Sequence, residues 1–599
     1  MHSRVSPIGR GQLIAWQVIA VLAAAAVIER GPERMALGGI ALAGLLLTAL
    51  RWRHRWAYQW LATTWELRRR RRDPAARPPG HRPPWPGLPA IAVGPARIRG
   101  GGEAGVAHDG DGFATVIAVA AEPDGRPARL PLAALSSLLD RADPVVSAVQ
   151  VIAHADLASG DAGSAPAAAY RNLGYHRVPR SESAWVVLRH DPVASRFAVG
   201  AAGSARDVHT RLIRALAGRG SRALDLLGGQ HLRGHLIDTA GLRELLAGVL
   251  PGADGSGAGA RWGSWDHAGH QHITYWLRRW PPGGLPALEQ ALTDVPVRSV
   301  TSAVVMTRDR AGRLGLTATL RVTAGPEADL RAVRRAVTTA AAACGARLVR
   351  MDGEHGGGVL ATLPLGRGPG GRWLGGQAAG RDEISVTAAG GGVVLGPGAT
   401  PGAGLVAVPL FSAAGATRVT VIGDPALPRL LALRALGTGA RLRVVTGSTR
   451  DWRLLREQAR VRPDRMTIVQ PGTQPPPDGT ADDPWMIMDD TGSPAVARRP
   501  WQAAVTVLSQ APPAGAVLPG QTAIVLQRTS ELGAAAVTAA LDLPGPLASA
   551  FQTALQAIPD AMVALAQPGA PLRLAQLAPD PAERSVLAAS LRHGAVTGP

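Results

Sequence analysis

The 599-residue chain has one cysteine, Cys344, no lysine, and only four tyrosines and four phenylalanines. A single cysteine excludes any internal disulfide, which suits a reducing compartment. The absence of lysine is what a very GC-rich genome would produce, and no mechanism attaches to it. All positive charge outside the histidines is arginine, and the net charge is +20. That charge is uneven: residues 1–99 hold 16 arginines against 4 acids, so +12 lies in the first sixth. A nucleic-acid binder more often spreads its basic surface over a folded domain. Nucleic acid is therefore not expected as a partner.

What is present is concentrated at the start. Residues 12–28 (QLIAWQVIAVLAAAAVI) and 35–50 (MALGGIALAGLLLTAL) carry no charge. A bilayer core takes roughly 20 helical residues, with a range of about 17–25. Each run sits at the short end of that range, and its flanks are expected to lengthen it. Glu29-Arg30-Gly31-Pro32-Glu33-Arg34 reads as the turn between them. The expectation is a two-helix transmembrane hairpin over residues 1–72. Arginines flank it on both outer sides, which places both termini in the cytoplasm and the protein in the inner membrane as a multi-pass chain. No signal-peptide cleavage pattern precedes the second run.

The segment RWRHRWAYQWLATTWELRRRRR follows. Its Trp52, Trp56, Trp60 and Trp65 recur at nearly helical spacing, beside Arg51, Arg53, Arg55 and the block Arg68, Arg69, Arg70, Arg71, Arg72. Trp favours the headgroup layer and Arg reaches phosphates. These twelve residues are the expected interface with anionic phospholipid headgroups.

Residues 73–112 are rich in proline and glycine and read as a linker. Residues 113–366 alternate apolar runs of strand length with helical stretches, including a hairpin signal at 300–322 around Asp309-Arg310-Ala311-Gly312, and read as a mixed α/β domain. Asp266, His267, His270 and His272 match no defined zinc spacing. The alternation of His270, His272 and Thr274 with Gln271, Ile273 and Tyr275 instead reads as a strand with one polar face, its histidines surface or half-buried. Residues 367–400 form a Gly-rich boundary. Residues 401–599 repeat strand, helix, strand, which implies parallel pairing and a doubly wound sheet.

A doubly wound sheet raises the question of nucleotide binding. The loop after Thr417–Ile422 is Gly423-Asp424-Pro425-Ala426-Leu427-Pro428-Arg429. It lacks the glycines, the Lys and the Ser or Thr of a phosphate-cradling loop. Two prolines remove donors, and Asp424 repels phosphate. Met486-Ile487-Met488-Asp489-Asp490 resembles the magnesium-holding strand of P-loop NTPases, a weak signal alone. The C-terminal domain thus reads as a degenerate nucleotide-binding layout, with no catalytic residue, no metal and no cofactor expected.

The hairpin, the RWAYQWLATTWELRRRRR tail, HITYWLRRWP, VLATLPLG, TRVTVIGDPALPRLLALRALGTGARLRVVT and TAIVLQRTSELGAAAVTAALDLP together resemble the actinobacterial type VII secretion component EccE. The resemblance implies a non-enzymatic inner-membrane structural subunit of the export machine. It implies EccB, EccC and EccD-like subunits as partners, EccC being the motor ATPase. Other readings from the same residues are a membrane-tethered enzyme or ligand-binding protein using the C-terminal domain, and an envelope scaffold unrelated to secretion.

Overall fold

The computed structural model describes residues 10–592 apart from 53–54, 73–89, 99–101, 121–127, 131, 140–144, 158–159, 161–162, 193–204, 230–231, 251–258, 309–311, 327, 371–386, 389–390, 400–403, 413–414, 474–477, 511–521, 544 and 569. Much of the expected linker and of the expected Gly-rich boundary, and the turn at 309–311, lie outside the described residues.

Two helices open the chain, α1 (Arg10–Ile28) and α2 (Pro32–Ala49). Pro32 and Glu33 suit the first turn of α2, where a missing N–H costs nothing and a carboxylate meets the positive end of the helix dipole. The helix ends at Ala49 because Leu50 turns extended, with φ −71° and ψ 122°. A two-residue ribbon follows, Arg51–Trp52 against Arg55–Trp56, and then α3 (Ala57–Arg72).

Both helices form, yet among the described residues no helix is long and apolar enough to cross a membrane. The charge-free part of α2 starts at Met35 and rises about 22 Å at 1.5 Å per residue. The stretch of α1 from Gln12 rises about 25 Å, against a hydrocarbon core of about 30 Å. The flanks do not add the expected length, because the chain leaves the helix at Leu50 for the ribbon. The transmembrane hairpin, and with it the multi-pass inner-membrane localisation with cytoplasmic termini, is thereby corrected.

Strands drawn from residues 92–350 build one twelve-stranded sheet. Its strands are β1 (Ala92–Arg97), β2 (Glu103–His108), β3 (Phe113–Ala120), β4 (Ala148–Asp156), β5 (Ser181–His190), β6 (Arg233–Leu236), β7 (Gly259–Ala260), β8 (Trp265–His267), β9 (His270–Arg279), β10 (Ser299–Arg308), β11 (Leu314–Ala324) and β12 (Arg347–Arg350). The order is β7-β8-β9-β11-β10-β4-β5-β3-β2-β1, with β12 also on β9 and β6 also on β3. Every pairing described is antiparallel.

Helices cover both faces, so the central strand β10 is buried at each position from Ser299 to Met306. On one face, Val149, Val151, Val300, Val304, Leu320 and Val322 pack against the helices Ala205–Gly228, Gly284–Leu292 and Leu330–Ala343. On the other, Ile152 and Ala303 pack against Thr239–Val249 and His355–Ala361. That second face also holds a row of buried polar side chains: His154, Thr301, Arg321, Thr323, His272 and Thr274. The polar face expected for β9 therefore exists, but it is covered.

The second sheet is formed by β15 (Thr417–Ile422), β16 (Arg441–Val445), β17 (Met466–Val469), β18 (Trp485–Asp489), β19 (Gln502–Leu508), β20 (Ala523–Leu526), β21 (Met562–Ala566) and β22 (Arg573–Gln576), beside the small ribbon β13 (Val393–Pro397) and β14 (Leu405–Val408). Its order is β17-β16-β18-β19-β15-β20-β21-β22. The first six strands run parallel, but β21 and β22 are antiparallel, so the sheet is mixed and not the all-parallel one expected. Helix α4 (Ala426–Gly437) is buried along most of its length between this sheet, the helix Ala165–Asn172 of the first half, and Pro581–Arg592. Gly437 permits the contact: a Cβ there would lie 2.9 Å from the Pro166 carbonyl oxygen.

Two half-buried carboxylates, Glu182 on β5 and Glu289 in Gly284–Leu292, are pushed up to about 7, each first by burial and Glu182 also by Glu289. A raised carboxylate stabilises the fold fully below its unfolded value and loses that contribution as pH rises through the folded one. The melting temperature should therefore fall between pH 5 and pH 8, and Glu289→Gln should flatten that slope. A slope unchanged by Glu289→Gln would disprove the assignment. Asp482 titrates outside this window, near 2.

Candidate functional site

The inner seam of the α1–α2 hairpin is made of small and polar residues. Ala26 and Ala41 are buried, Gln12 Nε2 donates to the Thr48 carbonyl at 2.8 Å, and Trp16 Nε1 donates to Thr48 Oγ1 at 3.2 Å. Gly44 lets the helices close, since a Cβ there would sit 3.1 Å from Ile19 Cγ1. The outer side is apolar and open. Ile14, Val21, Val27, Ile28, Met35, Ile40 and Leu46 are all exposed, Met35 by 84%. Exposed apolar side chains grouped in this way make the hairpin a candidate interaction surface.

Helix α3 ties the hairpin to the first sheet. Trp60 packs on Trp262 with ring centroids 5.5 Å apart. Thr63 is buried over Gly353, where a Cβ would come within 2.6 Å of its methyl. The tryptophans expected as one interfacial stripe are thus divided. Trp52 and Trp56 lie on the ribbon, Trp60 faces the sheet domain, and Trp65 points out, 75% exposed. Arg51 and Arg55 also lie on the ribbon. Arg68 and Arg69 are exposed on α3, and Arg70, Arg71 and Arg72 end that helix. Arg53 lies outside the described residues.

The loop from β15 into α4 sits at the carboxyl edge of the second sheet, where a doubly wound fold would place a ligand. Here the position is filled from within. Asp424 Oδ1 accepts the Ala426 N–H at 2.7 Å, and Gln527 Oε1 accepts the Asp424 N–H at 2.8 Å. A Cβ on Gly423 would lie 2.5 Å from Gln527 Oε1. A carboxylate thus caps the helix end that would otherwise attract phosphate. Asp489 accepts from Thr491 N and Oγ1, and Asp490 accepts from Trp452 Nε1, so both acids at the end of β18 serve local structure.

The histidines of the β8–β9 hairpin go to separate partners. Ala268 and Gly269 make the turn, at φ 47° and 78°. Asp266 binds Ser264 and Arg261, and His267 stacks on Trp265 at 5.2 Å. His272 Nδ1 lies 3.2 Å from Thr323 Oγ1, and burial holds its ring neutral, well below the usual histidine range. Among the described residues, no group of three or more His, Cys, Asp or Glu side chains could hold a metal ion.

His270 reaches across to the loop before β18. His270 Nε2 lies 2.6 Å from Asp482 Oδ2, and Arg298 Nη1 donates to Asp482 Oδ1 at 2.7 Å. Burial alone would raise Asp482; the hydrogen bonds and charges of His270 and Arg298 outweigh it and hold the carboxyl at about 2. Arg180 donates to the Thr438 carbonyl at 3.2 Å and to that of Ala481. The two sheets are therefore stitched together by charged side chains of the first and by backbone and Asp482 of the second. Sequence reasoning missed Asp482, because nothing local in Thr480-Ala481-Asp482-Asp483 signals a partner some 200 residues away.

Comparison with known proteins gives one informative match. Residues 178–277 match the family model described as "Putative type VII ESX secretion system translocon, EccE". That segment runs from before β5 into β9 and supplies Arg180, His270 and His272. No curated protein matches the chain. Two solved structures of alkyldihydroxyacetonephosphate synthase, in P1 and P212121 crystals, align at 10% identity with TM-scores of 0.17 and 0.19. The alignments cover 40% and 41% of this chain and 41% and 42% of theirs, so the chain spans about two fifths of those proteins. Scores this low carry no argument about fold or activity. Over residues 178–277, the chain is similar to the EccE family of type VII ESX secretion.

Proposed function

We propose that the chain is a non-enzymatic structural subunit of a type VII secretion machine, held among EccB, EccC and EccD-like subunits. The match over residues 178–277 is the observation that carries this reading. Two features of the geometry support it. The hairpin offers an apolar face to a neighbour while α3 fixes it to the sheet domain. The loop at the edge of the second sheet is filled by Asp424 and Gln527, which leaves no phosphate cradle for turnover. Deleting residues 10–49 should release the chain from its complex while the two sheets stay folded. Retention of the whole complex would refute the role given to the hairpin.

The arginines Arg51, Arg53, Arg55 and Arg68 to Arg72, with Trp52, Trp56 and Trp65, are proposed to rest against anionic phospholipid headgroups. Such contact needs no crossing helix. Each Arg near an anionic surface contributes about 1 kcal/mol. Changing Arg68 and Arg69 to Gln should therefore weaken pelleting with phosphatidylglycerol vesicles roughly thirtyfold. An unchanged pellet would remove the lipid from the account.

A further inference from the structure

Between the polar face of the first sheet and the Ala481–Asp482 loop lies a cleft of about 430 Å³, including its solvent mouth. His154, Asp156, Arg180, His270, His272 and Arg298 line it, and Asp482 closes one side. Much of that volume is open to solvent, and the space within suits a group of few atoms, not a nucleotide. Behind it, Arg321 bonds the Val249 carbonyl and Thr301 Oγ1, and Thr301 Oγ1 also meets His154 Nδ1 at 2.8 Å.

Two imbalances stand out. The first is in hydrogen bonds. Arg180 Nε, Arg321 Nε and Nη1 and His272 Nε2 are buried without a hydrogen-bond partner among the described residues. On the acceptor side of the cluster, Asp156 Oδ2 is the carboxylate oxygen in the same position, beside His270 Nδ1, which accepts when Nε2 donates to Asp482. The second is in charge. Three guanidiniums, Arg180, Arg298 and Arg321, face two carboxylates, Asp156 and Asp482. Arg180 and Arg321 are 2% and 1% exposed, and among the described residues they bond only carbonyls and a hydroxyl. Buried charge is retained where it is paired. Water could take up the spare N–H groups, but it brings no charge.

We propose that this cleft binds a hydrogen-phosphate group, with Arg180, Arg298 and His272 donating to its oxygens and its own P–OH donating to Asp156 Oδ2. The lone carboxylate oxygen selects the ligand. An anion that meets Asp156 must carry a proton, which phosphate keeps near neutral pH and sulfate and chloride do not. The Asp156 carboxylate thus repels a fully ionised oxyanion while the arginines attract a protonated one. His154, His270 and Asp482 also face the site, and each already has a partner: Thr301 and Asp156 for His154, Asp482 for His270, His270 and Arg298 for Asp482. The ligand would lie where the two sheets meet, so its binding would also tighten their contact.

The test is thermal melting and calorimetric titration of the full chain at pH 6 and constant ionic strength, using inorganic phosphate, sulfate or methyl phosphate. A saturable rise in melting temperature with phosphate, and none with sulfate, is expected. Arg298→Gln, at a partly exposed position, should weaken phosphate binding at least tenfold. Asp156→Asn should admit sulfate and abolish the preference. Methyl phosphate binding as well as phosphate would assign the site to a phosphoryl group on a larger molecule; phosphate binding without the ester would assign it to the free ion. No saturable response to phosphate, an equal response to sulfate, or a preference that survives Asp156→Asn would overturn the proposal.

Discussion

Glu583→Gln should lower stability by about 3–5 kcal/mol, the range for removing one partner of a buried ion pair. Arg434 sits on α4, 1% exposed, and Glu583 is 3% exposed. The guanidinium reaches the carboxylate twice, Nε to Oε1 and Nη2 to Oε2, each at 3.1 Å. Its remaining donors go to the carbonyls of Val394, Leu395 and Ala578, and its face lies 5.2 Å from the Tyr175 ring centre. The fork thus joins α4, β13, the last helix and the Tyr170–Tyr175 pair, which are 5.6 Å apart edge to face. Neutralising Glu583 leaves the guanidinium charge buried with dipoles alone. Urea unfolding would measure the loss as a lower midpoint with an unchanged slope. A change below about 1 kcal/mol would mean that the pair is not buried as described. Replacing both residues by apolar ones of similar volume should recover much of the loss, because the paired charges carry a desolvation cost of their own.

Asp109→Ala should cost about 3 kcal/mol or more by the same physics. Asp109 takes Arg189 through both oxygens, at 2.9 and 3.1 Å, and takes the Asp111 and Gly112 N–H groups on Oδ1. Its carboxyl is held below the usual range because those bonds and the charges of Arg189 and Arg367 outweigh the effect of burial. Arg189 also donates to the Leu365 carbonyl, and Arg367 reaches Asp109 and Asp111. The network pins the end of the segment at 363–367 onto the β2–β3 turn. Glycines at 112 and 366 make room for Arg189, since a Cβ at Gly366 would lie 2.5 Å from Arg189 Cβ. Gly366 is also at φ +68°, so Gly366→Ala should destabilise through both strain and contact. Thermal melting of Asp109→Ala within a degree or two of the parent would contradict the network.

How much of this was legible beforehand depends on how local each signal is. The period-two pattern of His270 to Tyr275 is local, and it marks β9. That its polar face is buried is not local, since the cover comes from Val249, Ala481 and Asp482 far along the chain. The Gly423-Asp424-Pro425 loop showed by composition alone that it lacks a phosphate cradle. That Gln527 occupies the space needed a strand pairing of β15 with β20. The hairpin was misjudged at its ends. Apolar composition predicts a helix, but helix length is decided by where the backbone turns, and Leu50 turns into the ribbon. Among the motifs that carried the family resemblance, HITYWLRRWP overlaps the matched segment at 272–277, while VLATLPLG and the C-terminal motifs lie beyond it.

The central claim is that this chain works by holding neighbours, not by turning over a substrate. Affinity purification of the tagged, full-length chain from gently lysed cells, with mass measurement and identification of what accompanies it, tests that claim most directly. The account predicts a discrete high-mass complex containing the type VII motor ATPase and its companion subunits. Recovery as a lone monomer, free of every secretion component, would contradict it.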